Sequence, residues 1–147
     1  MEGLARRRAA VSLVVDSSAT LAWIYMDETT APIREVFDRV VEEGAVVPSL
    51  WRLEVANGLT VAVRRRRIDP EFRQAALADL ALWDITVDQH TDARAWGETL
   101  RLADRFRLTL YDATYLELAQ RRSLPLATLD NDLRTAARAS GVDLLGA

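Results

Sequence analysis

Cysteine and lysine are absent from this chain, and histidine occurs once. Without cysteine there can be no disulfides, thiolate zinc sites or thiol nucleophiles, a composition that suits a reducing cytoplasm. Without lysine there is no Schiff-base chemistry and no phosphate loop of the lysine-dependent kind. All nineteen basic residues are arginine. Long apolar runs are also missing. Arg6, Arg7 and Arg8 precede the apolar run Val11–Val15 as in a secretory signal, but Asp16 ends that run after five residues, too soon for a signal core or a membrane span. A soluble, cytoplasmic protein with no membrane partner is expected. The chain also lacks any excess of positive charge. Its formal net charge of −3 argues against general coating of nucleic acid, whose affinity comes mostly from neutralised phosphates. An enzyme that grips phosphate through metal ions remains allowed.

What is present fits one domain, since 147 residues with 50% hydrophobic content can fill a single core. Short β-branched runs alternate with longer amphipathic stretches, the pattern of an α/β fold with a mostly parallel sheet. Residues 1–10 are expected to form an unstructured lead, and residues 11–147 the domain. Strands are expected over Val11–Val15, Ala45–Val47, Ile85–Val87, Pro125–Leu129 and Val142–Leu145. Helices are expected over Ser18–Met26, Ala31–Glu43, Leu50 to about Arg67, Asp69–Leu82, Thr91–Phe106, Thr109–Arg122 and Asn131–Ser140, with Gly44 and Gly141 as stops.

Most of the 22 acidic residues mingle with arginines, as Glu35, Asp38, Arg39, Glu42 and Glu43 do, in the manner of a solvated helix face. Four stand apart. Asp16 is the only charge between Ala9 and Met26, Glu54 the only one between Leu53 and Val63, and Asp112 the only one between Leu108 and Leu116. Asp130 follows the uncharged run Ser123–Leu129. A carboxylate at the edge of a core needs a counter-charge or strong hydrogen bonds. Asp16 and Asp130 fall just past expected strands, where open parallel sheets form their ligand crevice. Each acid also has a plainer reading. Asp16 and Asp130 suit helix N-caps, and Thr109 with Asp112 has the spacing of a capping box. Asp84, equally isolated, shows that isolation alone does not make a site. If the four do converge, either some are protonated or a divalent cation neutralises them. Hard oxygen donors select Mg²⁺ or Mn²⁺ over zinc, and such ions activate water for phosphodiester hydrolysis.

The stretches that carry these acids are Val14-Val15-Asp16-Ser17-Ser18, Glu54-Val55-Ala56-Asn57, Leu110-Tyr111-Asp112-Ala113 and Ala127-Thr128-Leu129-Asp130. In order and spacing they resemble the successive motifs of PIN domains, especially the VapC toxins of bacterial toxin–antitoxin pairs. The resemblance spans roughly Ser12–Leu145. It implies a mostly parallel five-stranded sheet flanked by helices and a metal-dependent endoribonuclease toxin of a type II toxin–antitoxin system, using Mg²⁺ or Mn²⁺. It also implies an RNA substrate whose cleavage inhibits translation or growth, a homodimer, and a cognate VapB-like antitoxin. By the same resemblance, Asp16, Glu54, Asp112 and Asp130 are the catalytic and metal-holding acids, with Asp132 competing for the fourth place. Thr128 matches a hydroxyl residue that precedes the last acid, and Asn57 an asparagine one helical turn after the glutamate.

Two other classes stay open: a phosphoacceptor receiver-like module, which normally needs the lysine this chain lacks, and a PIN domain that binds RNA or a partner without catalysis. A DNA flap nuclease is an enzymatic rival, though the larger insertions expected of that group are missing. The arginine run Arg64–Arg67 is read as a solvated helix end suited to the helix dipole. Trp23, Trp51, Trp83 and Trp96 are read as core or interface residues, and His90 as a surface or capping residue.

Overall fold

The computed structural model describes residues 11–147. The expectation for residues 1–10 lies outside the described residues. In chain order the elements are β1 (Leu13–Val15), α1 (Ser17–Ile24), a 3-10 turn (Met26–Glu28), α2 (Ala31–Glu43), β2 (Ala45–Val47), α3 (Leu50–Arg64) and α4 (Pro70–Ala81). They continue with β3 (Ile85–Val87), α5 (Thr91–Arg94), α6 (Glu98–Phe106), α7 (Leu110–Arg122), β4 (Leu126–Ala127), α8 (Asn131–Ala139) and β5 (Leu144–Leu145). The strands form one sheet in the order β3-β2-β1-β4-β5, and every pairing is parallel. The α/β expectation is met, with the sheet wholly rather than mostly parallel.

The apolar runs form strands because helices bury them from both sides. Leu13, Val14, Val15, Ala45, Val46 and Val47 have no exposed surface, as expected for central parallel strands. β3 lies at an edge of the sheet and is only half-buried. Helix α7 is buried at every position from Ala113 to Ala119, the behaviour of a helix enclosed on most sides. Beside the sheet, Trp23 stacks on Phe37 at 5.3 Å between ring centroids, and Trp83 tilts against both. Trp51 is buried as well.

Helix boundaries follow local chemistry. Thr30 caps α2 by accepting from the Ile33 N–H, Pro32 sits within its first turn, and Gly44 ends it at φ +79°. That conformation favours glycine, and a Cβ there would also stand 2.8 Å from Asp84 Oδ2. Several expectations need correction. Three strands are shorter than expected, β1 starting at Leu13, β4 spanning only Leu126–Ala127 and β5 only Leu144–Leu145. Helix α3 stops at Arg64 rather than near Arg67, because Arg66 turns left-handed at φ 58°. Arg67 is thereby free to reach Asp27 and Glu28 and to lie 4.0 Å over the Tyr25 ring. The expected helix Thr91–Phe106 is broken after Arg94, where Gly97 takes the non-helical angles φ −113° and ψ −107°. Trp96, within that break, is 93% exposed and fills no core. His90 is a surface residue that precedes α5 without a side-chain cap bond.

The strand order sets where a site can form. From β1 the chain builds outward to β2 and β3, then returns past β1 to lay down β4 and β5. The crevice at such a reversal, beyond the carboxyl ends of β1 and β4, is where open parallel sheets bind ligands.

Candidate active site

Asp16 follows the last residue of β1 and is 3% exposed. Its Oδ1 accepts from the Ala19 N–H at 2.9 Å and from the Ser18 hydroxyl at 2.7 Å, so it does cap α1. Its Oδ2 accepts from the Thr128 hydroxyl at 2.5 Å. Thr128 follows β4 and is fully buried, and its Oγ1 also accepts from the Asp130 N–H at 3.0 Å. The Ser18 hydroxyl accepts from the Leu129 N–H at 3.0 Å. Ser18 and Thr128 thus tie the ends of β1 and β4 together around one carboxylate. Among the described residues no arginine meets that carboxylate. Burial lifts its pKa from 3.8 to about 6; the hydrogen bonds from Ala19, Thr128 and Ser18 oppose the rise, and the charge of Asp112 adds to it.

Glu54 reaches the same edge on α3, which leaves β2 through Pro48 and Ser49. Two contacts seat this helix against α1. One turn before Glu54, the Trp51 indole donates to Thr20 Oγ1 at 3.0 Å, and Thr20 donates on to the Asp16 carbonyl. One turn after it, Gly58 lets α1 approach so closely that a Cβ would stand 2.6 Å from Leu21 Cδ1. The Glu54 Oε1 then accepts from Tyr115 Oη at 2.5 Å and weakly from Ser17 Oγ at 3.4 Å.

Asp112 lies in the first turn of α7 and is half-buried. The Thr109 hydroxyl accepts from the Asp112 N–H at 3.1 Å, so the N-cap half of the expected capping box forms. Burial raises the pKa of Asp112, and the fields of Asp130, Glu54 and Asp132 raise it further against a hydrogen bond from Thr109. Asp112 thus senses Asp130, Glu54 and Asp132, and its own charge acts on Asp16. Asp130 caps α8, its Oδ1 accepting from the Leu133 N–H at 2.8 Å, while Asp132 is exposed. Asn57 is exposed one turn past Glu54 and makes no hydrogen bond to these residues. Asp84 stands apart, beside Gly44.

The sequence reading missed Ser17, Ser18 and Tyr115. The two serines adjoin Asp16, and Tyr115 is three residues after Asp112, on the same helical face. Tyr115 also reads as a core aromatic, which by its 1% exposure it is.

The donor set is hard oxygen throughout, and the acids around Asp112 disfavour its charge in a way a divalent cation would relieve. Among the described residues, however, no three His, Asp or Glu side chains are placed to hold one ion between them. Magnesium is commonly bound by one or two carboxylates, with water and substrate phosphate filling the other positions. These residues fit such a hydrated ion and do not form a closed cage. An apolar cleft of about 640 Å³ lined by Trp23, Met26, Phe72, Leu80 and Trp83 lies apart, and none of the candidate acids lines it.

A parallel α/β sheet with acids gathered at its strand reversal is the architecture that the four motifs led one to expect. The chain belongs to the PIN domain family, whose sequence pattern matches residues 13–139. The VapC resemblance is borne out by Ribonuclease VapC3 of Pyrobaculum aerophilum, which is 30% identical over 125 residues covering 84% of this chain and 92% of that protein. The crystal structure of PAE2754 from Pyrobaculum aerophilum has the same fold, with a TM-score of 0.63 at 24% identity over 91% of this chain and 89% of that one. The receiver-like alternative is set aside on fold as well, since such modules order their strands 2-1-3-4-5 rather than 3-2-1-4-5. Among the described residues no helix is long and apolar enough to cross a membrane.

Proposed function

We propose that this protein is a VapC-type endoribonuclease that hydrolyses RNA phosphodiester bonds with Mg²⁺ or Mn²⁺ held at the β1/β4 crevice. The observation that carries this reading is the charge gathered there: Asp16 and Asp112 both have raised pKa values and, among the described residues, no arginine partner. Asp16 and Asp112 are the principal holders of the ion, and Glu54 and Asp130 complete its surroundings directly or through water. Asp132 is the alternative to Asp130, and Asn57 lies at the rim. Thr128 and Ser18 orient Asp16. The bound ion supplies charge neutralisation at the phosphate and an activated water. In the cell the enzyme is a type II toxin whose RNA cleavage inhibits translation or growth. It acts in the cytoplasm as a homodimer restrained by a VapB-like antitoxin.

The test is cleavage of single-stranded RNA by the purified protein with Mn²⁺ or Mg²⁺, yielding 5′-phosphate and 3′-hydroxyl ends. Asp112→Asn is expected to lower kcat/KM by at least about a hundredfold, the scale of one lost electrostatic stabiliser. Full activity in excess EDTA would overturn the proposal. The absence of a three-carboxylate cage among the described residues favours a second reading, a non-catalytic RNA- or partner-binding domain. That reading predicts RNA binding without cleavage under every metal tried.

A further inference from the structure

We propose that Tyr115 is a positioning residue of this site, its phenol holding one carboxylate oxygen of Glu54 so that Glu54 acts through the other oxygen alone. This rests on the reading of the crevice given above and adds a division of labour within it. The hydrogen bond from Tyr115 Oη to Glu54 Oε1 is 2.5 Å long and joins positions 61 residues apart, on α7 and α3. Ser17 Oγ points to the same Oε1 at 3.4 Å. Both donors use Oε1, and Oε2 accepts from no side chain or backbone group among the described residues.

A tyrosine at 1% exposure has other ways to satisfy its hydroxyl than by facing a carboxylate. Here it donates a charge-assisted bond, the strong and directional kind. It also stands three residues after Asp112, so the two side chains leave α7 on one face. The bond therefore fixes α3 to α7 where each contributes an acid. Glu54, an unbranched side chain with three rotatable bonds, loses the freedom to swing away or to offer both oxygens at once. A carboxylate tethered in this manner approaches an ion or a water with one oxygen in a set direction.

Tyr115→Phe removes only the hydroxyl and keeps the buried ring. Two readouts are compared across wild type, Tyr115→Phe, Glu54→Gln and the double variant: RNA cleavage at saturating Mn²⁺, and Mn²⁺ affinity without RNA by isothermal titration. Tyr115→Phe is expected to lower kcat by about tenfold to a hundredfold and weaken Mn²⁺ binding several-fold, the usual cost of losing an outer-shell partner. KM for RNA should move less than about threefold, because no contact with RNA is removed. In the Glu54→Gln background the same change should alter both readouts by less than about twofold, because the residue acts through Glu54. An equal loss in both backgrounds would overturn the proposal, as would a Tyr115→Phe protein indistinguishable from wild type. A wild-type protein that cleaves no RNA, yet shows the Mn²⁺ shift only when Glu54 is present, would sustain the positioning role while defeating the ribonuclease reading.

Discussion

Two groups of carboxylates in this protein meet opposite fates. At the crevice, Asp16 is met by two hydroxyls and a backbone N–H and feels the charge of Asp112, and among the described residues neither acid has a cationic partner. At the end of β3, Asp88 is met by Arg121, whose Nη1 and Nη2 bind its two oxygens at 3.1 and 2.8 Å, and the same guanidinium holds Glu117 at 2.9 Å. The His90 N–H and the Thr91 hydroxyl also donate to Asp88. Burial pushes the Asp88 carboxyl up, but Arg121 and these donors outweigh it and its pKa falls below the usual value. Asp16, more deeply buried and without such a partner among the described residues, goes the other way. The difference separates architecture from chemistry. An arginine-paired acid holds α7 to the β3 end, whereas an unpaired acid leaves a negative field available to a ligand.

The comparison breaks most visibly if the paired cluster loses its cation. Arg121→Met strands Asp88 and Glu117, each 3% exposed in its side chain, and should lower the unfolding free energy by about 3–5 kcal/mol. Urea denaturation at pH 7 checks this. A loss below about 1 kcal/mol would mean that water replaces the guanidinium. Because the Asp88 pKa is depressed on folding, its contribution is present at neutral pH and is lost as pH falls through its folded pKa.

Asp16 should show the reverse sign. Its folded pKa of about 6 lies above the ordinary carboxyl value of 3.8, so ionisation costs the metal-free protein nothing below about pH 4. The cost grows as pH rises to 6 and is complete above that. Asp16→Asn in EDTA should therefore stabilise the protein at pH 7.5 by up to about 3 kcal/mol, the equivalent of that shift. The gain should shrink toward pH 4. A variant less stable than wild type at pH 7.5 would show that the hydrogen bonds of Asp16 outweigh its burial. The same variant should lose RNA cleavage, so stability and activity move in opposite directions.

The legible part of the molecule was the part governed by local pattern. Ala45–Val47 and Ile85–Val87 were bounded correctly because β-branched runs end at glycine, proline or charge, and Ala31–Glu43 because Thr30 and Gly44 punctuate it. The break at Gly97 was missed because an apolar periodicity continues across it. For the site, charge isolation picked out Asp16, Glu54 and Asp112, and the fields of Glu54 at Asp112 and of Asp112 at Asp16 link the three. Isolation failed for Asp88 and Glu117. Glu117 has Arg121 four residues on, which reads as a solvated pair, and only the tertiary fold shows that pair to be buried. Tyr115 was invisible for a related reason. A tyrosine amid Ala113, Leu116 and Leu118 looks like core filling until α3 is seen to bring Glu54 to its hydroxyl.

Thr128→Val sharpens the crevice side of the comparison without changing its charge. The substitution removes the donor to Asp16 Oδ2 and the acceptor of the Asp130 N–H in a fully buried position. It should cost about 1–3 kcal/mol in stability, from buried groups left unpaired, and about tenfold to a hundredfold in RNA cleavage, through loss of the orientation of Asp16. Thr128→Ser keeps the hydroxyl and should recover most of the cleavage. Equal activity of Thr128→Val and wild type would show that Asp16 does not need this partner.

The smallest expected effect decides between the two candidates for the fourth acid. Asp130 is half-buried, receives its place from Thr128 through its backbone N–H, and acts on Asp112 more strongly than Asp132 does. Asp132 is exposed, and its field at Asp112 is screened by water and salt. Asparagine caps helices as well as aspartate does, so Asp130→Asn should leave thermal stability within about 0.5 kcal/mol of wild type. Cleavage should nevertheless fall about tenfold, as for a group acting beside the principal ligands. Asp132→Asn should change cleavage by less than about twofold, the range of an exposed charge away from the reacting atoms. Measured side by side as kcat/KM at one Mn²⁺ concentration, the pair ranks the two acids directly. A larger loss at Asp132 would move the fourth position to the first turn of α8 and leave Asp130 as its cap.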